Sequence, residues 1–188
     1  MAAAEHLGVD ALLPLSLKNY HRLVEADGFE GERVELLDGL LVRMSPKSEA
    51  HEAATEFLLE WLMHHVDLDR YSVGCQRALT IGDSEPEPDL VVRERGTPKP
   101  YHPSSAVLVI EVAASSLPVD LAVKAPLYAS AGIAEYWVLD LDGRRAIVHR
   151  SPEAGGYRER LEVPADGQLV SVALALPALR VTDALDAD

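Results

Sequence analysis

The sequence predicts a mixed α+β domain of the α/β class, in which a central mixed β-sheet is flanked by helices. The chain has 188 residues, a length typical of one domain. Apolar residues recur with helical periodicity at 16–27, 48–66 and 120–131. Strand-like runs lie between these segments, and AVLVIEVA at 106–113 is apolar enough to be a central strand covered on both faces. Because the composition shows no break, we expect a single domain over residues 16–188.

The N-terminal part is predicted to contain a helix followed by a β-hairpin. Residues 1–15 are expected to be a flexible lead-in. Ser16 is a suitable N-cap for the first helix, in which apolar residues recur at steps of three and four. Asp38-Gly39 lies between two apolar runs, at 32–37 and 40–44, and this pattern is typical of a hairpin.

The remaining strands are predicted from apolar or alternating runs that turn residues separate. They cover residues 71–80, 88–93, 106–113, 136–141, 145–150, 157–163 and 169–176. Between the first two of these strands, Asp83 and Glu85 are expected to lie in a solvated acidic turn. In the helix at 120–131, Pro126 must occupy the first turn or kink the helix, and Gly132 ends it.

Composition excludes several classes of protein. Seventeen basic and 31 acidic residues give a net charge of −14, which argues against a nucleic-acid binder that works through bulk positive charge. The single cysteine, Cys75, cannot form an intrachain disulfide. No stretch reaches the roughly 18 apolar residues of a membrane helix, and the N-terminus does not resemble a secretory signal. We therefore expect a cytoplasmic protein without a membrane partner.

Three residues carry the strongest chemical signal. Glu111 lies inside the apolar strand AVLVIEVA, where an unpaired carboxylate would be very costly. Asp89 opens an apolar strand about twenty residues earlier, and Lys124 lies on the helix that follows Glu111. Taken singly, Asp89 could simply begin a strand and Lys124 could be a solvated helix lysine. Together, two acids and a lysine are what metal-dependent phosphodiester hydrolysis requires, so they predict a metal-binding cleft.

These residues resemble the core of the PD-(D/E)XK nucleases, and within that superfamily the putative restriction endonuclease family. The matching segments are VELLDG (34–39), His51 at the start of the long helix, EPDLVV (87–92), VIEVAASS (109–116) and DLAVKAPLYASAGIAEYWVLD (120–140). The last segment is the most specific of them. The resemblance implies a restriction endonuclease-like fold, with the metal held where the central strands diverge.

The resemblance also implies roles for individual residues. Asp89 and Glu111 would bind Mg²⁺ or Mn²⁺, with the backbone carbonyl of Val112 as a third ligand. In the superfamily pattern the catalytic lysine stands two residues after the second acid, but this chain has Ala113 there. The lysine role therefore passes to Lys124 on the next helix.

Four further residues are candidates for a supporting role in the same cleft. Asp120 precedes Lys124 by four residues and could pair with it on one helix face. Glu35 matches an acid of the family pattern and could be an additional metal ligand. Gln76, on the strand before Pro88, could face the cleft. His51 also matches the pattern, as a residue at the helix start or in the cleft.

Other chemistries have weaker support. His51 and His65 lie fourteen residues apart on one helix, or about 21 Å at 1.5 Å per residue, so they cannot chelate one ion. Without cysteine pairs, a structural zinc site is not expected. No nucleophile elbow of the G-x-S-x-G type is present. A hydrolase that uses Glu35 and Glu111 as an acid–base pair on another substrate remains an alternative.

The sequence thus predicts a metal-dependent endonuclease that cuts nucleic acid, with DNA as the expected substrate. A homodimer is the expected assembly, by analogy with related nucleases that cut two strands. Two groups of basic residues, Arg93, Arg95 and Lys99 and also Arg144-Arg145, could offset the acidic charge locally. The alternative is a catalytically weak or inactive binding or regulatory module with the same fold, which the missing lysine at position 113 favours.

Overall fold

A computed structural model describes residues 12–96 and 101–188 of the chain. Its centre is a six-stranded sheet with the strand order β3-β4-β5-β6-β7-β8. These strands are β3 (Tyr71–Cys75), β4 (Leu90–Glu94), β5 (Leu108–Ala113), β6 (Glu135–Asp140), β7 (Arg145–Glu153) and β8 (Gly156–Pro164). The other elements are α1 (Leu17–Glu25), β1 (Val34–Leu37), β2 (Leu40–Arg43), α2 (Glu49–His65), α3 (Leu117–Val119), α4 (Ala125–Ser130), β9 (Gln168–Leu169), β10 (Leu179–Arg180) and α5 (Val181–Leu185).

The sheet is mixed, as the sequence predicts. Strands β5 and β6 are parallel, and every other neighbouring pair in this sheet is antiparallel. A parallel pair needs a long crossover, because the chain must return to the starting edge before the second strand begins. Here the crossover is helical: α3, a single π-helical turn at Asp120–Lys124, and α4 follow one another without a break.

Both faces of the sheet are covered, and side chains of β5 alternate between them. Leu108 and Ile110 belong to the core on the side of α2 and α5. Val109 and Ala113 belong to the core on the side of the crossover helices. All six residues of β5 are buried, which confirms the predicted central strand. By the same alternation, Glu111 faces the crossover helices.

The N-terminal elements follow the predicted signals closely. The Ser16 and Ser48 side chains cap α1 and α2 by accepting backbone hydrogen bonds three residues ahead. In the β1–β2 hairpin, Asp38 and Gly39 have φ of 49° and 77°, the left-handed pair that a two-residue hairpin turn requires. Most of the predicted lead-in lies outside the described residues. At its end, the Leu15 N–H donates to the Gly39 carbonyl.

Two predicted strands are wrong in extent. The strand expected at 71–80 ends at Cys75, because Gln76 adopts a left-handed φ of 50° and the chain turns away. The strand expected at 169–176 reduces to the two residues of β9. Beyond it, the Val172 and Ala173 N–H groups donate to the buried carboxylate of Glu135, so they are not free to pair with another strand.

Two further expectations are corrected between β3 and the end of the crossover. Glu85 is buried, although an exposed acidic turn was expected, because its backbone N–H pairs with the Leu36 carbonyl and draws the segment onto the hairpin. The helix expected at 120–131 begins with a π-helical turn, and Pro126 lies in the first turn of α4. Among the described helices, none is both long and apolar enough to span a membrane.

Candidate active site

Asp89 and Glu111 face each other across two neighbouring strands. Leu90 pairs with Ile110 in the β4–β5 ladder, and continuing this register by one residue brings Asp89 opposite Glu111. The Asp89 N–H donates to Glu111 Oε2 at 3.3 Å. The Val112 N–H donates to Asp89 Oδ2 at 2.9 Å. The sheet backbone thus fixes the relative position of the two carboxylates.

Glu111 is almost completely buried, with 4% of its surface exposed. Its Oε1 accepts from Lys124 Nζ at 3.0 Å and from the Tyr128 hydroxyl at 2.9 Å. Both donors lie on the crossover helices, toward which β5 directs the Glu111 side chain. The buried acid that the sequence marks as costly is therefore compensated by a cation and a hydroxyl.

Lys124 lies among three carboxylates. Its Nζ is 3.0 Å from Glu111 Oε1, 3.2 Å from Glu35 Oε2 and 3.6 Å from Asp120 Oδ1. Burial alone would lower the pKa of this ammonium, but the negative charges of Glu111, Glu35 and Asp120 outweigh burial and raise its pKa. Lys124 is therefore charged at neutral pH and acts as a donor.

The π-helical turn brings both ends of Asp120–Lys124 to the cleft. The Ala125 N–H donates to the Asp120 carbonyl, five residues back, and so widens this turn. Asp120 and Lys124 are both buried, and both line the cleft. Asp120 Oδ2 has no hydrogen-bond partner among the described residues, and burial raises the pKa of this carboxyl.

Glu35 reaches the cleft from β1. It is buried, and its Oε2 accepts from the Glu87 N–H at 3.2 Å in addition to its contact with Lys124. Val34 and Leu36 pack on the side of α1, so the alternation of side chains along β1 turns Glu35 to the opposite side, together with Leu37. The hairpin thus adds a third carboxylate to those of the central sheet.

Asp89 has two side-chain partners from the segment around the start of α2. Lys47 Nζ lies 3.2 Å from Asp89 Oδ1, and His51 Nε2 lies 3.1 Å from Asp89 Oδ2. Burial alone would raise the pKa of Asp89, but the hydrogen bonds and charges of these partners and of the Val112 N–H lower it. In contrast, burial raises the pKa of Glu111, and the nearby negative charges of Asp120, Asp89 and Glu35 add to this effect.

Sequence reasoning missed Lys47 and Tyr128. The position of Lys47 was a signal, because it directly precedes Ser48, the N-cap of α2. The positive end of the helix dipole disfavours a cation there, so a lysine at this position indicates an acidic partner. Tyr128 gave no such signal, because a tyrosine in an apolar helix is ordinarily a packing residue.

The structure brings together most of the predicted site residues but leaves one outside. Asp89, Glu111, Lys124, Glu35, Asp120, His51 and Val112 all line one cleft of about 170 Å³. Gln76 is exposed, follows the end of β3 and does not line the cleft. Only its backbone N–H approaches the site, by donating to the Asp89 carbonyl at 2.9 Å.

The donor set of this cleft fits a hard divalent cation. Five carboxylates line it together with two lysines, one arginine and one histidine, so the acids exceed the permanent cations. Oxygen ligands of this type are preferred by Mg²⁺ and Mn²⁺. The unpartnered oxygen of Asp120 adds a further acceptor. The arrangement can therefore hold a metal beside a buried, charged lysine.

Sequence comparison matches residues 17–186 to the Uma2 family, described as "Putative restriction endonuclease". The chain is a member of this family. The match spans the hairpin, the central strands and the crossover, and it confirms the family resemblance given above. The comparison with curated proteins finds none that is similar to this chain.

Solved structures agree with the family assignment at the level of the fold. A putative nuclease of the DUF820 group from Anabaena variabilis superimposes with a TM-score of 0.73 at 17% sequence identity. The alignment covers 92% of this chain and 98% of that chain. The predicted fold, a mixed sheet flanked by helices in a nuclease architecture, is therefore confirmed, and family and fold together support a nuclease.

Proposed function

We propose that this Uma2-family protein is a Mg²⁺- or Mn²⁺-dependent endonuclease that hydrolyses phosphodiester bonds of DNA. The observation that carries the proposal is the convergence on Glu111: the Asp89 N–H contacts one carboxylate oxygen, and Lys124 contacts the other. Two acids from adjacent strands and one lysine from the crossover thus share a single cleft.

Asp89 and Glu111 are the proposed metal ligands, with the Val112 carbonyl as a third and Glu35 as an additional one. A divalent cation bound there would activate a water molecule and neutralise charge on the scissile phosphate. The backbone hydrogen bonds to Asp89 and Glu111 hold both carboxylates in place before any ligand binds, which lowers the cost of assembling the site.

Lys124 is the proposed electrostatic catalyst. The surrounding carboxylates raise its pKa, which favours the charged form and a role as a donor. Its ammonium donates hydrogen bonds toward the attacking water and the negative charge that develops on the phosphate. Asp120, at 3.6 Å, and Glu35, at 3.2 Å, hold the ammonium in position for this role.

Lys47 is proposed to bind a phosphate of the nucleic acid. It belongs to the irregular segment between β2 and α2 and lies at the mouth of the same cleft. Its ammonium pairs with Asp89 Oδ1, an oxygen that a metal ion would take. Metal binding would therefore displace Lys47 from Asp89 and leave this cation available to the substrate.

One observation favours the alternative, a binding or regulatory module with weak or no activity. Both oxygens of Asp89 already have internal partners in Lys47 and His51, which could close the site to a metal. Such a protein would bind neither Mg²⁺ nor Mn²⁺ at millimolar concentration. Metal titration therefore separates the two functions.

Two of the five basic residues proposed to attract DNA are compensated by acids. Arg144 pairs with Asp186 at 2.8 Å, and Arg145 pairs with Glu162 at 2.7 Å. Lys99 lies outside the described residues. The choice of DNA over RNA stays a prediction. The homodimer and the cytoplasmic location also stay predictions.

The test is cleavage of supercoiled plasmid, single-stranded DNA and RNA with Mg²⁺, with Mn²⁺ and with a chelator. Asp89→Asn and Glu111→Gln should abolish cleavage, and Lys124→Met should reduce the rate by on the order of 10²–10³-fold. Asp142→Asn and Lys18→Met, both at exposed positions, are the matched controls and should cut at the wild-type rate. Cleavage that persists in all three site variants would refute the assignment of this cleft.

A further inference from the structure

A second group of metal-ligating side chains lies outside the proposed active site. It comprises His21 on α1, Glu85 in the segment before β4, and His102 in the segment before β5. One ligand atom from each of these residues lies within 4.8 Å of the others. None of the three lines the cleft that contains Asp89 and Glu111.

Glu85 is the centre of this group. Only 3% of its surface is exposed, and a buried carboxylate needs a compensating positive charge. In the part of the chain that the structure describes, no lysine or arginine forms an ion pair with Glu85. Its Oε1 contacts His102 Nδ1, and its Oε2 lies 3.1 Å from His21 Nε2. Two imidazoles therefore converge on one buried acid.

The groups around these three residues fix their orientation. The Thr80 hydroxyl donates to Glu85 Oε2 at 3.3 Å, and the His102 backbone N–H donates to the same hydroxyl oxygen at 2.9 Å. The His21 ring stacks on Tyr101, with the ring centroids 4.1 Å apart. Such outer contacts orient metal ligands in proteins and restrict their rotamers before the ion binds.

We propose that His21, Glu85 and His102 form a binding site for a zinc-class divalent ion. Two imidazole nitrogens and one carboxylate oxygen are a common three-residue ligand set for Zn²⁺, with a fourth position for water. The His102 side chain is 44% exposed, so an ion can enter from solvent. Because Mg²⁺ prefers oxygen ligands and retains its waters, this site discriminates against Mg²⁺.

An ion at this site would fasten three separate parts of the chain. His21 and Glu85 are 64 residues apart in sequence, and Glu85 and His102 are 17 apart. The ion would tie α1 and the segment at 101–102 to the segment that leads into β4. The ion therefore stabilises the contact between these segments in our proposal, although three protein ligands leave one position open to water. No local motif predicts the site, since each ligand is isolated in its stretch of sequence.

The first test measures zinc content and thermal stability of the tag-free protein. After treatment with a chelator and dialysis, we expect one equivalent of Zn²⁺ to rebind. We also expect the melting temperature to rise by roughly 5–10 °C at a free zinc concentration about 100 times the Kd. Mg²⁺ should produce neither effect at this site. Failure to bind Zn²⁺ would refute the proposal.

Variants assign the ion to its ligands. His21→Gln and His102→Ala should each abolish the zinc-dependent shift, and His64→Ala, at an exposed position of α2, is the matched control that should retain it. Co²⁺ gives a second readout, because a tetrahedral site produces visible absorption bands that a hexahydrated ion lacks. Uptake that is unchanged in both ligand variants would contradict the assignment.

The double variant Asp89→Asn/Glu111→Gln separates this site from the cleft. It should lose nuclease activity but keep its zinc-dependent shift, because the two sites share no ligand. If zinc uptake is instead lost in this variant, the ion belongs to the cleft and the second site is refuted. Neither result for zinc uptake decides whether the wild-type protein is a nuclease, because cleavage is measured separately.

Discussion

Replacement of Lys124 by methionine gives the sharpest test of how the cleft is held together. The variant keeps a side chain of similar length but leaves Glu111, Glu35 and Asp120 without the ammonium that lies 3.0–3.6 Å from them. Removing one partner of a buried ion pair costs about 3–5 kcal/mol. For a chain of this size, that loss lowers the melting temperature by roughly 6–20 °C.

The loss should depend on pH, and its sign follows from the carboxyls. Burial raises the pKa of Glu111 and of Asp120, and removal of the nearby ammonium raises both pKa values further. An acid whose pKa is higher in the folded than in the unfolded state destabilises the fold as pH rises above its unfolded pKa. The destabilisation by Lys124→Met should therefore be larger at about pH 8 than at about pH 5.

Differential scanning calorimetry at both pH values measures this effect. Lys124→Arg, which keeps the charge, should retain more stability than Lys124→Met. Lys18→Met removes an exposed lysine of α1 and should change the melting temperature little. A Lys124→Met variant as stable as the wild type at both pH values would show that the three carboxylates do not depend on this ammonium.

Two further substitutions test the contacts that the sequence did not reveal. Tyr128→Phe removes the hydroxyl that donates to Glu111 Oε1 at 2.9 Å. It should lower the free energy of unfolding, measured with urea, by about 1–3 kcal/mol. An unchanged midpoint of urea unfolding would contradict this. Lys47→Met removes the cation 3.2 Å from Asp89 Oδ1. The variant should bind Mn²⁺ more tightly, measured by calorimetry, and DNA more weakly. A weaker affinity for Mn²⁺ would show that Lys47 does not compete with the metal.

Much of the fold could be predicted because its signals are local. The Asp38-Gly39 turn and the serine cap at Ser16 each mark an element boundary through residues a few positions apart. The predicted central strand also needed no partner information, since AVLVIEVA is apolar on both faces. These signals act within one element, so they do not depend on contacts with distant parts of the chain.

The errors arise where the local backbone forms hydrogen bonds with a residue that is distant in sequence. Glu135 accepts hydrogen bonds from the backbone after β9, and this removes the donors that a longer strand would need. Glu85 has the alternating acidic context of an exposed turn, yet pairing with Leu36 buries it. No pattern within a window of a few residues contains either partner.

The candidate site was predictable to a similar degree. Asp89, Glu111 and Lys124 stand out because a charged residue within or beside an apolar run demands an explanation. Their convergence then follows from strand order, which is a property of the whole sheet. Lys47 was missed because its acid, Asp89, lies 42 residues away, and a lysine in an irregular segment is ordinarily solvated.

The π-helical turn makes the cleft sensitive to chain length as well as to side-chain identity. Asp120 and Lys124 are held in the widened turn that the bond from the Ala125 N–H to the Asp120 carbonyl defines. Deletion of Ala122 would remove the residue that the widened turn accommodates, restore α-helical spacing and shorten the separation of Asp120 and Lys124 from four residues to three. The distance between the Asp120 carboxylate and the ammonium, now 3.6 Å, would then change although neither residue had been replaced. When related sequences are aligned, the number of residues between this acid and this lysine is therefore as informative as their presence.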